Sequence, residues 1–315
     1  MRTGRSTAVL AVDIGGTKLD VGLVDASGAV TGRRRAPTPH GDDPEEVYAA
    51  LERIVGEVLD AASETPGSCG VGCGGPMESF GRTVSPLNIP GWRQFPLRDR
   101  LARSTGLAVT VQNDAKALAL GEGWKGAAAG SRNFLAMVVS TGVGGGIVLD
   151  GALLEGSAGN AGHIGHVVVE PDGSPCPCGG RGCLEAEASG PSIARTTGRP
   201  PAEASEQVRR RTGTLVGRAV ASVANLLDLE LAVVAGSVAL GFGAPFFEAA
   251  QAEIDDRCRL AFSVGTRIVP AGLGELGPLV GAAAVARTAH ATAHASAHDD
   301  AAAHADDHAP DPVVA

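Results

Sequence analysis

Two α/β domains flanking a cleft, built from one duplicated unit, are what the sequence predicts, and three observations lead there. Two distant segments share a pattern of strand, glycine turn and strand: VDIGGTKLDVGLVD from Val12 to Asp25, and VVSTGVGGGIVLD from Val138 to Asp150. Each ends a first apolar run on a polar residue, passes through glycines and closes a second run on Asp. Elsewhere, strand-like runs alternate with amphipathic stretches of helical period, the pattern of α/β units. The 315 residues are 19% charged and 44% hydrophobic, enough for two real cores. With only 3% aromatics, small aliphatic side chains must fill them.

Taken in order, Ala8 to Ile14 reads as a strand ending at Gly15-Gly16. Lys18 to Asp25 is a second strand, and Asp25-Ala26-Ser27-Gly28 turns into a third, so the chain opens as a β-meander. Asp43 is a helix N-cap, with Pro44 at the first helical position and Glu45 and Glu46 in the first turn, and the helix is expected to reach about Ala62. Ser68 to Gly75 reads as a short buried strand ending in glycines. Ala108 to Val111 is an apolar run that sets Gln112, Asn113 and Asp114 at a strand's end, before a helix from Ala115 to Gly121. In the second hairpin, Phe134 to Ser140 and Ile147 to Asp150 are the strands and Thr141 to Gly146 the turn. An amphipathic stretch from about Glu203 to Leu227, a strand from Leu231 to Ala235 entering Gly236-Ser237, and an Ala-rich helix from Pro278 to about residue 289 follow.

This pattern divides the chain into a smaller domain over 1–114, a larger one over 115–277 carrying a loop at 163–185, and a last helix, which a family resemblance given below implies packs back onto the first domain. Beyond Thr288 the composition collapses to His, Ala and Asp. His290, His294 and His298 would share a helix face, as would His304 and His308, but so little apolar surface cannot offset the entropy of ordering, and a disordered tail over 290–315 is expected.

Chemistry concentrates first in GHVVVEPDGSPCPCGGRGCLE, from Gly165 to Glu185. His166, Cys176, Cys178 and Cys183 put three thiols and one imidazole within eighteen residues. That set forms a tetrahedral Zn²⁺ shell with no open position, which is structural rather than catalytic. Disulfides are the alternative, but Cys176 and Cys178 flank a single proline, and such short loops satisfy disulfide geometry poorly. The clip would hold its loop and aim Glu185 at a ligand, unless Glu185 merely begins a solvated helix. Cys69, Cys73 and Cys258 are expected to be free thiols, buried or partly so, as in a reducing compartment.

The segment Asp13-Ile14-Gly15-Gly16-Thr17-Lys18 is not a Walker A loop, because Lys follows Thr and a strand comes next. Gly142-Val143-Gly144 is not a Rossmann fingerprint, since Ile147 stands where a third glycine is needed. Glycine turns still let backbone N–H groups approach an anion, and two facing turns could grip one polyphosphate. Asp13, a carboxylate at the end of an apolar strand, is costly there unless paired or serving a metal-bound phosphate. Asp114 sits where α/β proteins build sites, and transfer of a phosphoryl group to an alcohol needs a carboxylate beside the attacking hydroxyl, with Mg²⁺ offsetting phosphate charge. Its bland alternative is an N-cap for the helix that follows.

GHIGH, then CPCGGRGCLE ten residues on, resembles the signature of the ROK family of bacterial sugar kinases and repressors, and the likeness extends from Val9 to about Arg287. The resemblance implies the actin-like ATPase (ribonuclease H-like) fold and a zinc-containing, glucokinase-like enzyme using ATP with Mg²⁺. It places Asp13, Gly15, Gly16, Thr17 and Lys18 in a first phosphate motif, Thr141, Gly142 and Gly144 in a second, and Gly236 near adenosine. On the sugar side it places Gly75, Asn88 of the NIPGW segment, Asn113, Asp114 as base, His163, His166 and Glu185. One residue departs from the pattern: His163 stands where the family usually has Glu. A neutral imidazole offers one donor and one acceptor in fixed directions, whereas a carboxylate accepts from two hydroxyls.

The expected reaction is therefore phosphorylation of a hexose hydroxyl, glucose to glucose 6-phosphate first, with another hexose, an N-acetylhexosamine or a cyclitol kept open by His163. A sugar-responsive regulator or a non-catalytic sugar sensor is the competing class. The first strand begins about seven residues from Met1, which leaves no room for a preceding helix-turn-helix. The net charge of −9 argues against a nucleic-acid groove. No apolar segment nears the roughly 20 residues of a membrane span, and Asp13 interrupts the first apolar run too early for a signal peptide, so a cytoplasmic protein is expected. A homodimer or homotetramer is what the resemblance implies.

Overall fold

The computed structural model describes residues 7–78 and 81–289. The N-terminal sheet grows around β1 (Val9–Ile14). On one side β1 pairs antiparallel with β2 (Lys18–Val24), which pairs antiparallel with β3 (Val30–Pro37). After α1 (Pro44–Asp60), β4 (Ser68–Cys73) lies parallel to β1 on its other side, and after α2 (Leu97–Thr105), β5 (Val109–Asn113) lies parallel to β4. The order is β3-β2-β1-β4-β5.

From β5 the chain enters α3 (Asp114–Lys125) without a break. The second sheet follows, with β6 (Phe134–Val139), β7 (Val143–Leu149) and the short β8 (Ala152–Leu153) joined antiparallel. Helices α4 (Leu184–Ala188), α5 (Gly190–Thr197) and α6 (Glu206–Leu227) lead to β9 (Leu231–Ala235), parallel to β6. Then α7 (Ser237–Phe242) and α8 (Ala244–Arg257) lead to β10 (Arg267–Pro270), parallel to β9, and α9 spans 277–289. Read as β8-β7-β6-β9-β10, this sheet repeats the first, with two antiparallel neighbours on one side of its leading strand and two parallel on the other. The duplication expected from the twin hairpins is present in the topology.

Alternation along β1 explains how the first sheet is covered. Leu10, Val12 and Ile14 join Leu51, Ile54 and Val58 of α1 in one core. Val9 and Ala11, on the opposite face, meet Leu279, Ala282, Ala283 and Ala286, so α9 lies on the first sheet although it follows the second. Gly70 makes that possible, because any Cβ there would collide with the carbonyl of Ala282. The second core is larger and packs α6 and α8 on the other sheet through Leu215, Val216, Phe246 and Ile254.

One boundary differs in a way that matters for the site. The second turn covers only Ser140 to Gly142, closed by Ser140 N donating to Gly142 O at 2.9 Å, and the strand already begins at Val143. Gly144, Gly145 and Gly146 are therefore strand residues rather than turn residues. Their bareness serves packing: a Cβ on Gly146 would sit 2.8 Å from Cβ of Ala119, so α3 rests directly on β7. Smaller differences have local causes. The first helix ends at Asp60, short of Ala62. β4 stops at Cys73, where its partner β5 ends at Asn113. Helix α6 starts at Glu206 because Ser205 accepts from Val208 N, while 201–203 form a 3₁₀ turn. The His-rich segment 290–315 lies outside the described residues.

Candidate active site and metal clip

Parallel register assembles the acidic centre. Asp13, Gly72 and Gln112 stand abreast on β1, β4 and β5, so the carboxyl ends of the three strands deliver Asp13, Gly74-Gly75, Asn113 and Asp114 to one place. A Cβ on Gly72 would lie 3.7 Å from Oδ1 of Asp13 and 3.9 Å from Cα of Asp114, and one on Gly75 would lie 3.5 Å from Nδ2 of Asn113. Burial, and then the nearby Asp114, push the Asp13 carboxyl up to about 7, against the pull of Lys18 and Arg35. Burial also raises Asp114, partly offset by the Ala115 amide. The Asp114 side chain is solvent-accessible yet closely surrounded by protein, so it keeps access to a ligand while losing part of its hydration. Cys73, buried beside the pair, has its thiol pushed well up by burial and by both carboxylates.

The bland role foreseen for Asp114 is taken by its neighbour. Asn113 is the N-cap of α3, with Oδ1 accepting from Ala115 N at 3.0 Å. Asp114 Oδ1 shares the same amide at 2.8 Å, and Oδ2 lies beside Gly74.

The first glycine turn is closed by Gly15 N donating to Lys18 O at 3.0 Å and braced by Thr38, whose hydroxyl donates to Gly15 O at 2.7 Å. Gly16 abuts Asn88 so closely that a Cβ would collide with it, which sets the NIPGW segment directly on the phosphate-type turn. Trp92 anchors that segment from below: it is fully buried, donates Nε1–H to Pro44 O at 3.0 Å and stacks on Phe95 at 4.4 Å.

Beside the second turn lies a cleft of about 860 Å³, walled by Thr141, Pro191, Pro201, Ser237, Val238 and Phe242. Ser140 and Ser237 share a hydroxyl hydrogen bond of 2.9 Å at its base. Gly236, at φ 102°, is pressed against the backbone of Val139, and the next residue, Ser237, lines the cleft. Glu185 is neither a solvated helix start nor free to meet a ligand with both oxygens. It is half-buried in the first turn of α4, and Oε2 accepts from Val143 N at 2.9 Å, bracing the second glycine turn.

Residues His166, Cys176, Cys178 and Cys183 come together as a candidate metal clip, with their potential ligand atoms all within 4.8 Å of one another. The Sγ atoms of Cys178 and Cys183 are 3.7 Å apart, and Cys176 Sγ lies 3.8 Å from Nδ1 of His166. Tetrahedral Zn²⁺ with Zn–S near ~2.3 Å has S···S edges of about 3.8 Å, whereas a disulfide requires about 2.05 Å. The donor set therefore fits zinc, and all six cysteines are free thiols. Arg218 ties the loop to α6 by donating to Val169 O at 2.7 Å and Glu170 at 2.6 Å, and Glu187 holds it by accepting from Ser174 N and Arg211. His163 is exposed, its ring 6.1 Å from that of His166. Among the described residues no hydrogen bond joins His163 to the acidic pair.

Sequence reasoning missed three polar residues around this centre: Gln112, Lys116 and Glu155. The available signal was Lys116 itself, a lone cation in the apolar run ALAL of a helix that lies against sheet strands.

A family model described as ROK family matches residues 9–289. The N-acetylmannosamine kinase of Citrobacter koseri is 38% identical over 251 residues, 75% of this chain and 85% of that enzyme. The glucokinase of Thermotoga maritima is 42% identical over 189 residues, 59% of this chain and 59% of that one. Among solved structures, a ROK family glucokinase from Streptomyces griseus in complex with glucose and AMPPNP has a TM-score of 0.76 and 29% identity, covering 89% of this chain and 99% of that one. The match runs from the first strand through the last helix, so the chain belongs to the ROK family and has its duplicated actin-like ATPase fold.

Proposed function

We propose that this ROK sugar kinase transfers the terminal phosphoryl group of ATP to the 6-hydroxyl of a hexose, with Asp114 as general base. The observation that carries the reading is Asp114 itself: a solvent-accessible carboxylate raised in pKa by burial, with Oδ1 on the Ala115 amide that Asn113 also caps and Oδ2 left toward Gly74. A raised pKa makes a carboxylate a better proton acceptor for an alcohol as it attacks. Gly15 to Lys18 and Thr141-Gly142 are the phosphate turns, the cleft beyond Ser237 takes the nucleoside, and Gly144 acts only through packing. Mg²⁺ bound with the nucleotide would supply charge neutralisation, and Asp13 is the carboxylate suited to it. His166, Cys176, Cys178 and Cys183 would hold a structural Zn²⁺ that fixes α4 and with it Glu185. Closure of the lobes over the sugar would exclude water.

Among hexoses, N-acetylmannosamine is the first reading, supported by His163 and by the extent of similarity to kinases of that sugar. An imidazole can donate to an acetamido carbonyl, which a carboxylate cannot. Glucose is the second reading, supported by the higher identity to a glucokinase over a shorter span. ADP release measured across a sugar panel, with wild type and Asp114→Ala, tests both. Sugar-dependent turnover that falls at least a hundredfold in the variant is expected; sugar binding without turnover in wild type would mean a sensor.

A further inference from the structure

Lys116 stands two residues beyond Asp114 on α3, and only 3% of its side chain is exposed. Its ammonium donates to Glu155 Oε2 at 2.5 Å and to the carbonyls of Gly159 and Glu155 at 3.0 and 3.3 Å, so all three protons have acceptors. The other oxygen, Oε1 of Glu155, accepts from Gln112 Nε2 at 2.9 Å, and Gln112 Oε1 in turn accepts from Asn113 N at 2.8 Å. One carboxylate thus straddles the turn that bears Asn113 and Asp114, gripping it through Gln112 just before and Lys116 two residues beyond. Glu155 also opens the segment that passes Gly156, Gly159 and Gly162, all at positive φ, to reach His163. Such a glycine-rich segment has little rigidity of its own, and the grip of Lys116 supplies it.

We infer that Lys116 and Glu155 form a latch: positioning residues that fix the loop 155–163 against the base-bearing turn and so set the fit of the acceptor, without touching the transferred group. The inference rests on the proposed hexose kinase reading, in which Asp114 and His163 face one sugar. A buried lysine is costly unless paired, and when Lys116 is replaced by an apolar side chain the partner left behind, Glu155, is half-exposed and can be hydrated, so the fold can survive the change. An effect confined to acceptor binding therefore separates the latch from a mere structural contact.

The test uses Lys116→Met and Glu155→Gln in the full chain, with steady-state kinetics for sugar and ATP, zinc content, melting temperature and amide hydrogen exchange of peptides covering 155–163. Expected are exchange at least tenfold faster in those peptides and a sugar KM about tenfold higher, with kcat within threefold, ATP KM within twofold and zinc retained. Should Lys116→Met fail to fold, Glu155→Gln, altered at a half-exposed side chain, carries the same test. Faster exchange beside a wild type that phosphorylates no sugar would sink the kinase reading and leave the latch standing. Unchanged exchange, an unchanged sugar KM in an active enzyme, or a joint loss of ATP affinity and thermal stability overturns the latch.

Discussion

Replacing Asp13 by Asn should stabilise the ligand-free protein while removing its activity. Burial and Asp114 raise the Asp13 carboxyl from 3.8 to about 7 in the folded chain. Between those values the folded state holds a proton that the unfolded state has released, so this group's contribution to stability is intact below pH 3.8, falls as pH rises toward 7, and is flat above. A gap of about 3 units is worth at most ~4 kcal/mol, and the partial solvent exposure of Asp13 reduces that to about 2 kcal/mol. Neutral Asn avoids the cost. At pH 8, without metal or nucleotide, the variant should melt about 4 °C higher or more, and the gain should shrink toward zero by pH 4. Differential scanning calorimetry at pH 4, 6 and 8 reads this directly. Turnover should drop at least a hundredfold, the trade expected where function maintains a strained charge. A variant that melts below its parent at pH 8, or a gain independent of pH, refutes the claim that the native carboxylate is held ionised at a cost.

Other expectations concern different parts of the molecule. The purified chain should carry one Zn²⁺ by elemental analysis, and Cys178→Ser, at the exposed thiol ligand, should lose it and raise the sugar KM; a fully active protein without zinc would remove the clip from the argument. Gly70→Ala drives a methyl into the Ala282 carbonyl beneath α9 and should cost about 3 kcal/mol in urea unfolding, with no cost meaning that α9 shifts freely. His163→Glu should shift relative kcat/KM between N-acetylmannosamine and glucose at least tenfold toward glucose, with kcat on the better sugar within threefold. An unchanged ratio would take His163 out of the acceptor pocket.

The parts of this molecule that sequence made legible share one property: their chemistry is complete within a short stretch of chain. The four candidate metal ligands span eighteen residues, and the structure brings their ligand atoms within 4.8 Å of one another. The twin hairpins are local pairings, so their repetition reported the repeat of the sheets. The second turn was drawn too long for a related reason. A run of glycines reads as turn by composition, but Gly144 and Gly146 are bare because of Ala115 and Ala119 of α3, and Gly145 because of Ile164 and Gly162, neighbours that only tertiary packing brings to β7.

Glu185 and α3 show the same division more sharply. The Cys/His spacing singled out Glu185 as a residue its loop would hold, yet what it is held against is the amide of Val143, forty-two residues earlier. Helix α3 carries two buried charges, Lys116 and Glu122, and each must find a partner because neither has water. Lys116 takes Glu155 and the carbonyl of Gly159; Glu122 accepts from the amides of Ala127, Gly272 and Leu273. One charge therefore draws in the loop leading to His163, and the other draws in the chain entering α9. Since α3 rests on the second sheet and α9 covers the first, these two side chains tie both the loop 155–163 and the chain entering α9 to the helix that begins with Asp114, so each buried charge takes partners from segments distant in sequence.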